Sequence, residues 1–231
     1  MKKANFLGKK LLFITAHPDD ESYAVGGTIF ENVKQGGESH LICVTLGERG
    51  RGHLLKPLTT QQLKQARREE LKCASKKLNI SSLHILDLPD GQILNNKSIA
   101  HKKITGIVKK LKPNHILSFG PDGISGHLDH IALNKISQKI AREQKIQFIA
   151  FAVSPSRLKL NPKFFASRRK FGKYAPQISY QEPDARIKIN SAVKVKAVSC
   201  HKTQLGHNKP FAHLPKKLKK EILLHEYFKI N

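Results

Sequence analysis

The sequence predicts an α/β fold: a mostly parallel sheet with helices on both faces. Three observations carry this. Short apolar runs alternate with stretches of helical length and amphipathicity along most of the chain. The first run, Leu11-Leu12-Phe13-Ile14-Thr15, reads as a buried strand. It leads straight into a polar loop, Ala16-His17-Pro18-Asp19-Asp20-Glu21, and a second polar loop at 120–130 follows another apolar run in the same way. Strand exits are where open α/β sheets keep their sites. At 231 residues the chain suits one domain over 1–231.

Taken in order, the strand at 11–15 is followed by a helix from about Glu21 to Gln35, ended by Gly36-Gly37. Ser39 to Thr45 is a second strand, and the glycine-rich loop 46–53 follows it. Thr59 or Thr60 caps a long helix with Leu63, Ala66, Leu71, Ala74 and Leu78 on one side. Leu83 to Leu86 makes a third strand, turned by Pro89-Asp90-Gly91. A Lys-rich helix from Ile99 to Leu111 stops at Lys112-Pro113, before a fourth strand at His115 to Phe119. Ile131 to Glu143 reads as helix and Ile146 to Val153 as a fifth strand.

The pattern then dissolves between 154 and 183, where four prolines lie among basic and aromatic residues, as expected of a variable basic lid. Asp184 to Asn190 alternates like a strand, and two C-terminal helices are predicted at 191–203 and 215–228.

Charge is the outlier of the composition: 42 Lys+Arg against 17 Asp+Glu, a formal +25. From Phe151 to Asn231 there are 18 basic and 4 acidic residues. Such a field favours an anionic partner, but charge is the only nucleic-acid signal in the chain, so a nucleic-acid role is disfavoured. Cys43, Cys73 and Cys200 are odd in number, far apart and without a CxxC pair. They read as unpaired interior residues, with no disulfide framework or thiolate metal site, in a reducing cytoplasm. No run approaches the length of a membrane span. The composition leaves self-association open.

The chemistry lies in the two polar loops. His17 and Asp20 offer nitrogen and oxygen donors that zinc accepts, and Asp19 beside them is free to act as a base. The second loop offers His127 and His130 with Asp129 between. Together they supply a His-Asp-His site; catalytic zinc takes three protein ligands and keeps a position for water. The remaining histidine would stabilise an oxyanion, with Asp129 fixing its tautomer. Two histidines and a carboxylate also make the facial triad of non-haem iron oxygenases, but that chemistry has no use for Asp19.

AHPDDE at 16–21 and GPDGISGHLDH at 120–130 resemble the paired motifs of the PIG-L/LmbE-like metal-dependent N-acetylglucosamine deacetylases. TLGERG at 45–50, RREEL at 67–71, LPDGQ at 88–92 and HKTQ at 201–204 fit the same order. Leu128 stands where the family usually has proline. The resemblance implies a Rossmann-like hydrolase of an N-acetyl amide. It makes His17, Asp20 and His130 the ligands of Zn2+, with Fe2+ as the alternative. Asp19 becomes the general base, and His127, tuned by Asp129, stabilises the oxyanion and is a candidate to help protonate the departing amine. Arg67 and Asp90 align with positions that contact sugar hydroxyls. Read from the residues alone, Glu21 either caps the helix or supports the site, and helix support is preferred. The implied substrate is a small molecule, glycan or glycolipid bearing N-acetylglucosamine; an anionic one such as GlcNAc-malate suits the charge best.

Overall fold

The structure, a computed structural model, describes residues 5–51, 53–154, 182–212 and 214–230. The predicted lid at 154–183 lies almost wholly outside them. Seven strands form one sheet in the order β3-β2-β1-β4-β5-β7-β6. The first five are β1 (Lys10–Thr15), β2 (Glu38–Thr45), β3 (Ser82–Leu88), β4 (His115–Phe119) and β5 (Gln147–Ala152), all parallel. β6 (Ala185–Lys188) and β7 (His225–Ile230) close one edge, with β7 antiparallel to both β5 and β6.

The helices between the parallel strands are α1 (Asp20–Lys34), α2 (Thr60–Lys77), α3 (Lys97–Leu111), a single turn α4 (Gly123–Gly126) and α5 (Leu128–Glu143). After β6 come α6 (Ser191–Val198), α7 (Lys202–Leu205) and α8 (Lys216–Leu224). α2 starts with a full capping box: Thr59 accepts from the Gln62 amide while Gln62 accepts from the Thr59 amide. None of the described helices is long and apolar enough to cross a membrane.

β1 sits centrally because both of its faces are covered: Leu11, Leu12, Phe13 and Ile14 are fully buried. The chain leaves β1 for β2 on one side and returns to β4 on the other, so the exits of β1 and β4 lie side by side. That is the topological switch point of an open α/β sheet.

Three expectations are corrected. The predicted helix at 215–228 ends at Leu224, and His225–Ile230 is strand β7. Its Glu226, Tyr227 and Phe228 are buried, and Glu226 accepts from the amides of Gly27 and Thr28 and from Lys194, clasping the edge onto α1. The predicted helix at 191–203 breaks after Val198 and resumes as α7. Cys73 and Cys200 are not free: they form a disulfide between α2 and that break, leaving Cys43 as the buried thiol. The cysteine argument for a reducing compartment falls with it.

The bridge closes a sequence separation of 127 residues. Cys73→Ala is therefore expected to lower stability by about 2–4 kcal/mol in denaturant melts, and reductant should destabilise the wild type but not the variant.

Candidate active site

The loop after β1 is shaped by its own side chains. Asp20 Oδ2 accepts from the amides of His17 (2.8 Å) and Ala16 (3.2 Å), so the carboxylate folds back over the turn. Thr45, at the end of β2, donates its amide and hydroxyl to the Ala16 carbonyl and fixes the strand exit. Across the switch point, Asn134 on α5 donates to the Phe119 carbonyl at the end of β4. Gly123 then lets the chain fold against α5: its φ is +62°, and a Cβ there would lie 2.9 Å from that of His130.

These turns bring three donors together. His17 Nδ1 is 3.5 Å from Asp20 Oδ2, His130 Nε2 is 3.3 Å from Asp20 Oδ1, and the two nitrogens are 3.2 Å apart. Donors bound tetrahedrally to one ion at about 2.0–2.1 Å stand roughly 3.3–3.4 Å from each other; the two nitrogens have that spacing, and each faces a different oxygen of the Asp20 carboxylate, so these three residues could hold one metal.

The far side of each ring agrees. His130 Nδ1 donates to the Gly123 carbonyl (3.0 Å), which leaves its Nε2 lone pair facing Asp20. His17 Nε2 is turned to Asp90 (3.1 Å) and Asp129 (3.3 Å), which leaves Nδ1 facing the same point. Phe119 stacks on His130 with ring centroids 3.9 Å apart.

Among the described residues, two groups place one donor atom each within 4.8 Å of one another: His17, His127 and His130, and His17, Asp90 and Asp129. Hydrogen bonding separates their members. Asp90 and Asp129 accept on the outer side of His17. His127 Nδ1 accepts the Asp129 amide (3.2 Å), so in the neutral ring its Nε2 carries the proton and can donate a hydrogen bond.

Electrostatics favours a cation at the convergence point. Burial alone would lower the His17 pKa, but hydrogen bonds to Asp129, Asp20 and Asp90 raise it well above the usual value. Burial opposes ionisation of Asp20, yet His130 and His17 hold its carboxyl well below the usual range. Asp19 is pushed up to about 6, chiefly by burial and with Arg67 pulling the other way. His127 is lowered to about 4 by burial and by the neighbouring His17 and His130, so it is neutral at pH 7.

Several residues make contacts in the fold beyond those the sequence reading named. The Asp129 carboxylate faces His17 and accepts from the amides of Gly91 (2.7 Å) and Ile93 (3.1 Å); it meets His127 only through its own backbone N–H. Asp90 also faces inward, accepting the Arg49 amide at 2.9 Å. Arg67 is 3% exposed and donates to the carbonyls of Pro18 (2.6 Å) and Gly47, with Asp19 Oδ2 at 3.7 Å. Gly47 is required for that approach, because a Cβ there would lie 2.1 Å from Arg67 Nη1. Arg67 and Asp90 thus brace the loops around the site.

Glu21 is fully buried and reaches back to the amide of Asp19, the N-cap of α1, which supports the helix start; it also accepts from Ser22 and His201. His201, the first residue of the HKTQ block, is fully buried, with Nε2 2.8 Å from Glu21 and 3.2 Å from the Ser22 hydroxyl. Leu128, in the first turn of α5 where proline is also favoured, is 53% exposed at the edge of the site.

The chain is similar to several known proteins. A 1D-myo-inositol 2-acetamido-2-deoxy-alpha-D-glucopyranoside deacetylase of Corynebacterium glutamicum is 28% identical over 166 residues, covering 63% of this chain and 57% of the relative. A probable N-acetyl-alpha-D-glucosaminyl L-malate deacetylase 2 of Bacillus anthracis is 35% identical over 126 residues, covering 54% of this chain and 55% of the relative. The match thus spans less than two thirds of either relative's length.

Two solved structures share the fold. The N,N'-diacetylchitobiose deacetylase of Pyrococcus horikoshii has a TM-score of 0.66 at 21% identity, covering 96% of this chain and 84% of its own. GalB, the 4-carboxy-2-hydroxymuconate hydratase of Pseudomonas putida, has a TM-score of 0.67 at 21% identity, covering 100% and 96%. The fold alone therefore does not choose the reaction. The sequence profile of the PIG-L family, described as GlcNAc-PI de-N-acetylase, matches residues 12–141, more than half of the chain and both loops of the site, and the chain belongs to that family.

Proposed function

We propose that the chain is a metal-dependent hydrolase that removes the acetyl group from an N-acetylglucosamine conjugate. One observation carries the reading: His17 Nδ1, His130 Nε2 and the Asp20 carboxylate lie within 3.5 Å of one another, and Asp19 lies beside them without being needed as a ligand. When bound, Zn2+ or Fe2+ would supply Lewis-acid polarisation of the acetyl carbonyl and acidify the attacking water.

The residues of the chain do the rest. Asp19 takes the proton of the attacking water; its carboxyl is pushed up to about 6, mainly by burial, which suits a base working near neutrality. His127 presents its Nε2–H to the developing oxyanion from the rim of the site, held in that tautomer by the Asp129 amide. The proton Asp19 has taken goes to the departing amine, so acetate and a free glucosamine leave and the base is regenerated. Asp90 and Asp129 act through His17, and Arg67 holds the Pro18 and Gly47 loops against Asp19. The named deacetylase relatives support an N-acetylglucosamine conjugate, and the formal +25 supports an anionic aglycone such as malate.

The test is acetate release from GlcNAc-malate, GlcNAc-inositol and diacetylchitobiose, with matched samples treated with chelator. Equal amounts of acetate and free amine are expected, lost on chelation and restored by added Zn2+. Folded, metal-loaded protein that releases no acetate from any of them would contradict the reading.

A further inference from the structure

Asp19 sits in a backbone conformation that an aspartate rarely adopts, with φ +112° and ψ −31°. Such a conformation persists only where the surroundings over-determine it. Its carbonyl is taken by the amides of Ser22 and Tyr23, the first turn of α1. Its own amide points the other way, to Glu21 Oε2 at 3.1 Å. The second oxygen of Glu21 receives His201 Nε2–H at 2.8 Å and the Ser22 hydroxyl. Neither Glu21 nor His201 has any exposed side-chain surface, so neither touches substrate.

His201 is itself fixed from both sides by α2. Its predecessor Cys200 is bridged to Cys73, and Thr203, two residues on, donates its amide and hydroxyl to the two carboxylate oxygens of Glu70, each at 2.7 Å. Arg67, which braces Pro18 and reaches the Asp19 carboxylate, lies on the same helix. Positions 67, 70 and 73 follow one another at three-residue spacing and share a helix face.

We propose that Glu21 and His201 are positioning residues for Asp19. They form a buried chain of hydrogen bonds that transmits the rigidity of α2 to the Asp19 peptide, while Arg67 steadies the Asp19 carboxylate from the same helix face. The catalytic consequence rests on Asp19 being the base; the positioning itself does not.

The experiment compares metal-loaded wild type, His201→Ala and His201→Gln. It measures amide hydrogen exchange at Asp19, bound metal per chain, thermal melting, and kcat and KM for acetate release. His201→Ala should lose protection at the Asp19 amide by about tenfold or more, the signature of a local opening. Its kcat should fall about 10- to 100-fold, as a small misplacement of a reacting group does, with KM and metal content unchanged. His201→Gln retains an N–H for Glu21 and should recover most of both losses.

Unchanged Asp19 protection in His201→Ala, or a Gln variant as impaired as the Ala variant, would overturn the proposal. So would metal loss in step with activity. If Asp19 protection depends on His201 while the wild type releases no acetate from any substrate, the positioning pair stands and the deacetylase reading falls.

Discussion

Asp20→Asn is expected to empty the site of metal and abolish turnover with it. The replacement preserves the turn: one amide oxygen still accepts from the Ala16 and His17 amides, as Asp20 Oδ2 does now. It then presents an NH2 group to His130 Nε2, where the carboxylate oxygen stood at 3.3 Å. The convergence point loses both a donor atom and a negative charge. The loss of affinity should exceed the roughly 10–100-fold that follows removal of an outer hydrogen-bond partner of a ligand. Metal analysis after dialysis reads it directly, and an unchanged melting profile shows that the fold survived.

Asp19→Asn, the same change one residue earlier, should behave in the opposite way. No metal donor is lost, so bound metal should match the wild type. Asparagine tolerates positive φ better than most residues, so the turn survives at φ +112°. Arg67 keeps its bonds to Pro18 and Gly47. What disappears is the group that takes the proton, and kcat should fall by about 10²–10⁴-fold, the usual contribution of a positioned general base. Equal metal loss in the two variants would contradict the division of labour between the neighbouring aspartates.

The parts of the fold and site visible in the sequence are those written in neighbouring residues. Buried strands announce themselves as apolar runs, and the loops that follow β1 and β4 carry their donors within four residues, so His17 with Asp20 and His127 with His130 stand out together. What sequence could not show are partnerships made by folding. The Asp129 carboxylate looks like a partner of His127 two positions away, but the turn at Gly91–Ile93 captures it and aims it at His17, 112 residues distant. Glu21 meets His201 across 180 residues, and Cys73 meets Cys200 across 127. Arg67 has the chemistry to bind a diol, and only the fold shows that it also holds the Pro18 and Gly47 carbonyls, 49 and 20 residues away. Strand β7 was hidden because the Lys- and Leu-rich pattern before it is helical, and the switch at His225 comes from pairing with β5 and β6.

The most direct measurement is turnover of an N-acetylglucosamine conjugate in ¹⁸O-labelled water, using metal-loaded protein beside a chelated control. Attack of water on the acetyl carbon predicts one labelled oxygen in each acetate, none in the glucosamine product, and no acetate above background in the control. Label appearing in the sugar product, or acetate formed equally with and without the metal, would contradict it.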